Sequence, residues 1–394
     1  MENTSADSLA KELLEHCLAG SPYPERLVDD LLEGDGSRAL FRIVVERLAD
    51  LFEPRLCEVY ADLFSEVIAR RIPDLHAEHL AARYERVRRP RKLDRDPAVI
   101  RNVFVLSRVT LGADVAITSI MLDAAKQKFP NAQIYFVGPQ KAWELFAADP
   151  RLRHIAIAYG RSGALDGRLS IWRALRETMG KPASIIIDPD SRLTQLGLLP
   201  ICSEEDYYFF ESRSYGGDGD ESVSDLARRW VLETFDVSDA RPYIRTGLDA
   251  SELATTVSLG VGENPAKRVP DPFEEELLRS LPRPLLIDRG AGGEEADRVE
   301  RAVARSGPGV AMWDGSFAGF ASHIQRSHLY IGYDSAGGHV AAACGVPMIS
   351  IFAGLASERM FQRWRPSGPG KIDVLRADQF SGPGPLTEAI LRLL

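Results

Sequence analysis

Apolar positions in the first part of the chain recur at helical spacing. Leu40, Phe41, Val44, Leu48, Leu51 and Phe52 fall on one face, and Val59, Tyr60, Leu63, Phe64, Val67 and Ile68 repeat the arrangement one segment later. Pro54 and Pro73 punctuate these runs. The pattern predicts an all-helical N-terminal domain that runs to about Val87 and, with the basic segment after it, occupies residues 1–95. At Val103 the period changes. "VFVLS" is a short apolar run, "DVAITSIMLDAAKQKF" places Val115, Thr118, Leu122, Ala125 and Phe129 on one helical face, Pro130 closes it, and "AQIYFVG" is apolar again. Strand, helix and strand in so few residues make a βαβ unit, hence part of a parallel sheet. "HIAIAY" and "SIIID" are further strand candidates, and "SVSDLARRWVLETF" a helix, before a break near Pro242. Beyond it, "ATTVSLGVG", "RPLLIDRG", "GVAMWDG", "LYIGY" and "PMISIF" repeat the scheme. The expected architecture is two Rossmann-like α/β domains, residues 98–245 and 250–394, behind the helical prefix.

Composition narrows the class without naming a function. The 394 residues are 45% hydrophobic and 27% charged, enough to bury large cores. A formal charge of −9 argues against nucleic acid as a partner, because phosphate neutralisation needs a basic face. No run approaches the roughly 18 apolar residues of a membrane helix, and the first residues carry no secretion-type apolar core. Cys17, Cys57, Cys202 and Cys344 are far apart with no paired metal spacing, so a cytoplasmic, reducing location is expected. One local exception to the acidic balance is "RYERVRRPRKLDR", with seven Arg and Lys from Arg83 to Arg95. It reads either as a solvated linker interrupted by Pro90, or as a contact for an inner-membrane surface or anionic acceptor.

The chemistry concentrates where strands run into helices. In "YIGYDSAGGHVAAACGVPMISIF", "DSAGG" is the turn from a strand's carboxyl end into a small-residue helix. Ligands of open α/β sheets bind at that edge, and the N–H groups of a helix N-terminus favour an anion such as a diphosphate. Gly337 and Gly338 would admit a phosphate to the backbone, Ser335 and His339 could donate to it, and Asp334 could hold a sugar hydroxyl. Asp334 or Ser335 acting simply as a helix cap is the competing reading. Asp188-Pro-Asp190 has the D-x-D form of a divalent-metal site, against plain capping. His76 and His79, without an evident acidic or thiol partner, read as exposed helical residues. "SRSYGGDGD" around Tyr215 to Asp220 suggests a mobile loop. "LGADVA" lacks the G-x-G-x-x-G spacing of a dinucleotide site, which sets aside a Rossmann dehydrogenase.

"DSAGGHVAAACGVPMISIFAG" closely resembles the nucleotide-sugar site of the heptosyltransferase family, glycosyltransferase family 9. Members of that family carry a D-S/T-G-x-x-H-L-A-A-A-x-G-x-P segment there. Asp334, Ser335 and His339 match in type and spacing, while Ala336 stands at the family's glycine, with Gly337 one residue later. The resemblance runs from about Val103 to Arg376 and leaves the helical prefix out. Its second mark is the G-D pair opening the first helix of the first α/β domain. In "RVTLGADVAITS" Ala113 is inserted between Gly112 and Asp114, with Asp114 and Thr118 in register. The resemblance implies Asp114 as the general base, against an N-cap role. It implies Lys267, with Arg268 beside it, on the donor phosphates, and Asp188 and Arg192 on the acceptor. Glu358, Arg359 and Trp364 lie in a segment like the one near the donor in relatives. The implied fold is GT-B-type, with two Rossmann-like domains facing across a cleft. The implied activity is an inverting glycosyltransfer that uses no metal and no cofactor. It would move a heptose-like sugar from a nucleotide-diphosphate donor, possibly ADP-heptose, to a hydroxyl of a glycan such as lipopolysaccharide or of another acceptor. An epimerase-like nucleotide-sugar enzyme, or an inactive nucleotide-sugar-binding scaffold marked by Ala113 and Ala336, are the alternatives.

Overall fold

The computed structural model of the protein describes residues 3–33, 36–160, 165–262 and 264–394. Strands β1 (Asn102–Leu106), β2 (Gln133–Gly138), β3 (Leu152–Ala156), β4 (Ser184–Asp188) and β5 (Tyr207–Phe209) form one parallel sheet in the order β3-β2-β1-β4-β5. Strands β6 (Leu253–Ser258), β7 (Leu285–Asp288), β8 (Val310–Trp313), β9 (Ser327–Tyr333), β10 (Met348–Phe352) and β11 (Ile372–Arg376) form the second, in the order β11-β10-β9-β6-β7-β8. Each sheet starts in its middle and reverses direction beside its first strand, the doubly wound pattern. The switch points therefore lie between β1 and β4 and between β6 and β9.

The near-continuous apolar character of these strands follows from burial on both faces. In β1, Val103 and Val105 point into one core while Phe104 and Leu106 point into another, the alternation that a strand imposes. The first face is covered by helices Ser119–Lys128 and Val223–Phe235, through Ile120, Leu122, Leu226 and Trp230. The second face is covered by the N-terminal helices together with helices Leu165–Leu169 and Ile171–Met179 of the β3–β4 crossover. Leu56, Tyr60, Leu63 and Phe64 of helix Pro54–Arg71, and Leu80 and Tyr84 of helix Ala77–Val87, share one core with Phe104, Leu106, Ile186, Tyr207 and Phe209. Helical periodicity in the prefix is present as expected; its helices pack on one another, and the core they form is continuous with one face of the first sheet. Hydrogen bonds seal the contact: the Tyr60 hydroxyl donates to Gln195 O at 3.1 Å and Arg83 to Gly197 O at 2.7 Å.

The basic stretch is docked along the β5 edge. Arg91 lies 4.2 Å from the centre of the Tyr208 ring and donates to Glu205 O, while Arg86 pairs with Glu204 and Arg95 with Asp206, both at 2.7 Å. The Leu93 N–H bonds Thr234 O. Arg83, Arg86, Arg88, Arg91 and Arg95 are met by carbonyls, carboxylates and aromatic faces of the fold, while Arg89 and Lys92 are exposed, so the segment is more than a solvated linker and lends a membrane contact no support. Among the described residues no helix is long and apolar enough to cross a membrane. The glycine-rich loop of Tyr215 to Asp220, expected to be mobile, is held from the second domain. Arg359 and Arg363 donate to Gly217 O, Arg363 also to Glu221 O, and Arg365 to Asp220 O. Glycine-rich backbone leaves carbonyls open to donors, which sequence composition does not reveal.

Candidate nucleotide-sugar site

A cleft of about 670 Å³ opens at the carboxyl ends of β1, β4, β6, β9 and β10, so it meets both switch points. Its second-domain wall begins at Asn264, whose side chain accepts from Ala266 N–H and so caps the turn Pro265–Lys267. That turn places Lys267 on the cleft wall, with its Nζ 2.5 Å from Asp334 Oδ2. Asp334 follows β9 and is fixed by its own N–H bond to Ile351 O. Ser335 occupies the N-cap of helix Ala336–Cys344 but makes no capping bond, and its buried Oγ has no hydrogen-bond partner. Asp334 is engaged with Lys267, so neither residue acts as the side-chain cap that the sequence also allowed.

The two glycines play a different part from the one expected. A Cβ on Gly337 would stand 2.4 Å from the Tyr330 hydroxyl, so this glycine exists to let the tyrosine pack beneath the helix start. Gly338 faces Met348 and Pro366 at ordinary contact distance. Neither lines the cleft; Asp334, Ser335, Ala336 and His339 do. The part of the helix start that lines the cleft is thus Ala336. Gly112 of the first domain packs there, since an added Cβ would meet Ala336 Cα at 3.3 Å and His339 at 3.1 Å. The two sequence motifs, far apart in the chain, are brought face to face. Burial depresses the His339 pKa below its ordinary value, with Asp334 opposing and Lys267 reinforcing the shift. The imidazole is neutral at pH 7 and keeps one N–H to donate.

On the first-domain side, the turn after β1 is strained. Val109 sits at φ +69°, a true outlier for a β-branched residue, and its N–H is held by Ser107 Oγ at 2.8 Å. Backbone strain of this kind is retained where surrounding structure enforces it, often at ligand sites. Asp114 lies directly behind the Gly112–Ala113 wall and is fully buried. Its Oδ2 accepts from Ser107 Oγ at 2.7 Å, and its Oδ1 from Arg108 N–H and Thr118 Oγ1, both at 2.8 Å. Burial raises its pKa to about 6 against the lowering effect of these bonds. Arg192 lines the cleft and faces Asp50 at 3.3 Å. Asp188 does not reach it. Its carboxylate accepts from Ser191 N–H, Thr194 Oγ1 and the Tyr207 hydroxyl within the β4 turn, and burial lifts its pKa to about 6.

Asp190, the other half of the D-x-D form, is paired with Arg213 Nε at 3.1 Å and accepts from Ser212. Both carboxylates are committed to the fold, and no group of three His, Cys, Asp or Glu suited to a metal occurs among the described residues. His76 and His79 meet edge to face at 5.4 Å. Arg268 pairs with Glu274 and Asp271, and Glu358 with Arg376, both off the cleft lining, whereas Trp364 lines it.

A wall of the cleft that the sequence did not announce comes from the N-terminal helices: Arg42, Glu46, Arg47, Asp50 and Phe52. The four-residue spacing of Arg42, Glu46 and Asp50, opposite the Leu40, Phe41, Val44 and Leu48 core face, is the only signal, and any solvated helix face shows it.

The architecture is that of two parallel-sheet α/β domains facing across a cleft, consistent with the GT-B arrangement. No family model matches the chain, and no curated protein matches it. Among solved structures, the fold is shared with the glycosyl transferase family 9 structure from Veillonella parvula, at a TM-score of 0.52 and 18% identity over 72% of this chain and 88% of that one. It is also shared with E. coli heptosyltransferase WaaC with ADP, at 0.55 and 15% over 74% of this chain and 98% of that one. The same enzyme with ADP-2-deoxy-2-fluoro heptose gives the same figures. The family suspected from the "DSAGG" and "LGADVA" segments and the fold thus point the same way.

Proposed function

We propose that the protein is a glycosyltransferase that moves a sugar from a nucleotide-diphosphate donor to an acceptor hydroxyl. One observation carries this reading. At the second sheet's switch point, Lys267, Ser335, His339 and the first residue of helix Ala336–Cys344 line one wall of the cleft, and the buried Ser335 hydroxyl has no hydrogen-bond partner. Donors so arranged suit a diphosphate and stabilise it as it departs. The solved structures with ADP and an ADP-heptose analogue support an ADP-linked, heptose-like donor. Asp334, held near Lys267, is placed to exchange that ion pair for a sugar hydroxyl when phosphate takes the lysine.

The reaction is a single displacement with inversion. The acceptor oxygen attacks the anomeric carbon, the carbon–phosphate oxygen bond breaks on the opposite face, and the nucleoside diphosphate leaves. Asp114 takes the acceptor proton, exchanging one of its internal hydrogen bonds for the hydroxyl at the Gly112–Ala113 wall. Arg192 holds the acceptor; Asp188 supports that turn from below. Charge on the leaving diphosphate is met by Lys267 and the helix N-terminus, so the reaction proceeds without a divalent ion. A glycan is the acceptor that best fits the charged groups Arg42, Glu46, Arg47, Asp50 and Arg192 on the first-domain side of the cleft, and a cytoplasmic setting fits a nucleotide-sugar donor. The docked Arg83–Arg95 segment gives no support to a membrane contact.

Calorimetry tests the donor site. ADP, UDP or GDP should bind in the presence of EDTA, and Lys267→Ala or His339→Ala should each weaken binding by roughly 1.5–3 kcal/mol, as for a charge-assisted hydrogen bond. Unchanged affinity in both variants would remove the assignment, and a strict metal requirement would reopen the D-x-D reading. Donor turnover without acceptor would favour the epimerase-like alternative.

The base carries its own pH signature. Asp114 accepts a proton only when ionised, and its pKa is about 6. Transfer should therefore be level near neutrality and fall about tenfold per unit once the pH drops below that value. A rate independent of pH between 5 and 7 would exclude Asp114 as the group that titrates.

A further inference from the structure

Phe52 ends the turn that follows helix Glu46–Asp50 and stands apart in its backbone. It is 2% exposed and sits at φ +57°, in the left-handed region that bulky residues avoid. Two contacts from the second domain hold it there. Arg359 Nε donates to its carbonyl oxygen, and its ring meets Trp364 edge to face, with centroids 5.6 Å apart at 80°. Trp364 in turn meets His339 at 5.7 Å and 65°. All three rings line the cleft, and they form a chain from the N-terminal layer to the phosphate end of the second domain.

We propose that Phe52 is a positioning residue for the donor site, locking Trp364 and thereby fixing the imidazole of His339 where a donor phosphate arrives. The inference rests on the nucleotide-sugar reading above. Physically, edge-to-face pairing sets the angle of each ring as well as its distance. The helix that carries the imidazole is otherwise built of small residues and Val340, so its ring angle is set by neighbours from other elements. The elements packed against His339 supply Trp364 on one side and Gly112 on the other, with Asp334 and Lys267 as the charged groups that face it. Removal of the Phe52 ring frees the indole and lets water reach the imidazole. The strained backbone is consistent with this role, because nothing in the N-terminal layer's own core requires a left-handed phenylalanine; the residue packs with the domain core that holds Val340 and Ala341.

The test uses the full chain with Phe52→Ala, Phe52→Leu and Phe52→Tyr. Imidazole NMR titration, with the His339 signal identified by its loss in His339→Asn, is read alongside ADP calorimetry and thermal melting. In Phe52→Ala the His339 pKa should climb toward that of a solvated imidazole, and ADP binding should weaken about five- to tenfold. Phe52→Tyr should restore both. Phe52→Leu, which keeps apolar volume without a ring edge, should behave as the alanine variant does and replaces it if that chain does not fold. A lower melting temperature with unchanged titration and unchanged ADP affinity would make Phe52 a structural residue only and overturn the proposal. Wild-type protein that binds none of ADP, UDP and GDP would instead bring down the donor-site reading, and this inference with it.

Discussion

Removal of residues 1–95 is expected to leave a chain that does not fold. The helices in that segment share the core on one face of the first sheet, and without them Tyr207 and Phe209 of β5, which meet Arg83 and Tyr84, would face water on a parallel sheet. Parallel sheets persist only with both faces covered. Each large apolar side chain returned to water costs about 1.5–3 kcal/mol. Several such residues on each side of the contact exceed the roughly 5–15 kcal/mol that holds a typical domain together. Buried polar groups add to the loss, since Arg83 and the Tyr60 hydroxyl satisfy carbonyls of Gln195 and Gly197 that would be left in an apolar surface. Circular dichroism and size exclusion of a 96–394 fragment provide the check. The expected result is aggregation or a molten chain, whereas the full chain melts cooperatively. Limited proteolysis should likewise cut Arg83 to Arg95 slowly, since Arg83, Arg86, Arg91 and Arg95 are engaged with β5 and its flanks. A soluble, cooperatively melting fragment that binds nucleotide would mean that the prefix is an independent domain after all.

What the sequence made legible divides along a physical line. Strands buried on both faces announce themselves as short apolar runs, so β1, β4, β9 and β10 and the doubling of the architecture were readable. The turn at Asp334–Ser335 could also be placed, because helix starts at strand ends have a compositional mark. Asp188 and Arg192, one turn apart, illustrate what was not readable. Asp188 ends β4 and Arg192 lies in the loop after it, yet the Asp188 carboxylate is taken up by Thr194 and Tyr207 while Arg192 reaches the cleft, a difference that spacing alone does not show. Gly337 and Gly338 show the same limit. Their small size is visible in the sequence, but whether the space serves a ligand or Tyr330 depends on what packs beneath. The N-terminal wall was the least legible feature. An amphipathic helix has the same period whether it packs on its neighbours or on a sheet, and a charged face has the same spacing whether it meets solvent or substrate. Phe52 reads as the end of an apolar stripe, and only its backbone angle and its contact with Trp364 set it apart.

Asp114→Asn is expected to abolish most transfer while leaving the fold and the donor site in place. Asparagine keeps an oxygen for the Arg108 N–H and Thr118 Oγ1 bonds, and its amide can donate to Ser107 Oγ once that hydroxyl turns, so the β1 turn retains its braces. On the proposed reading the nucleotide is held by the other domain, and its affinity should not change. What the substitution removes is a carboxylate able to accept a proton near neutral pH, a loss usually worth about 10²–10⁴-fold in rate. Nucleotide release is the readout, measured with a donor and any acceptor that the wild-type protein glycosylates in a glycan screen. The competing role is that of a brace: Asp114 is fully buried and all its observed bonds are internal to the turn. A brace predicts a lowered melting temperature with turnover close to wild type, the opposite pairing. Its raised pKa separates the two further, because a base must lose its acid limb near pH 6 in the asparagine variant, whereas a brace leaves that limb untouched. If turnover survives, the proton must go to a carboxylate that already lines the cleft. Asp50 is then the residue to replace next, since it faces Arg192 on the acceptor side, whereas Asp334 is engaged with Lys267.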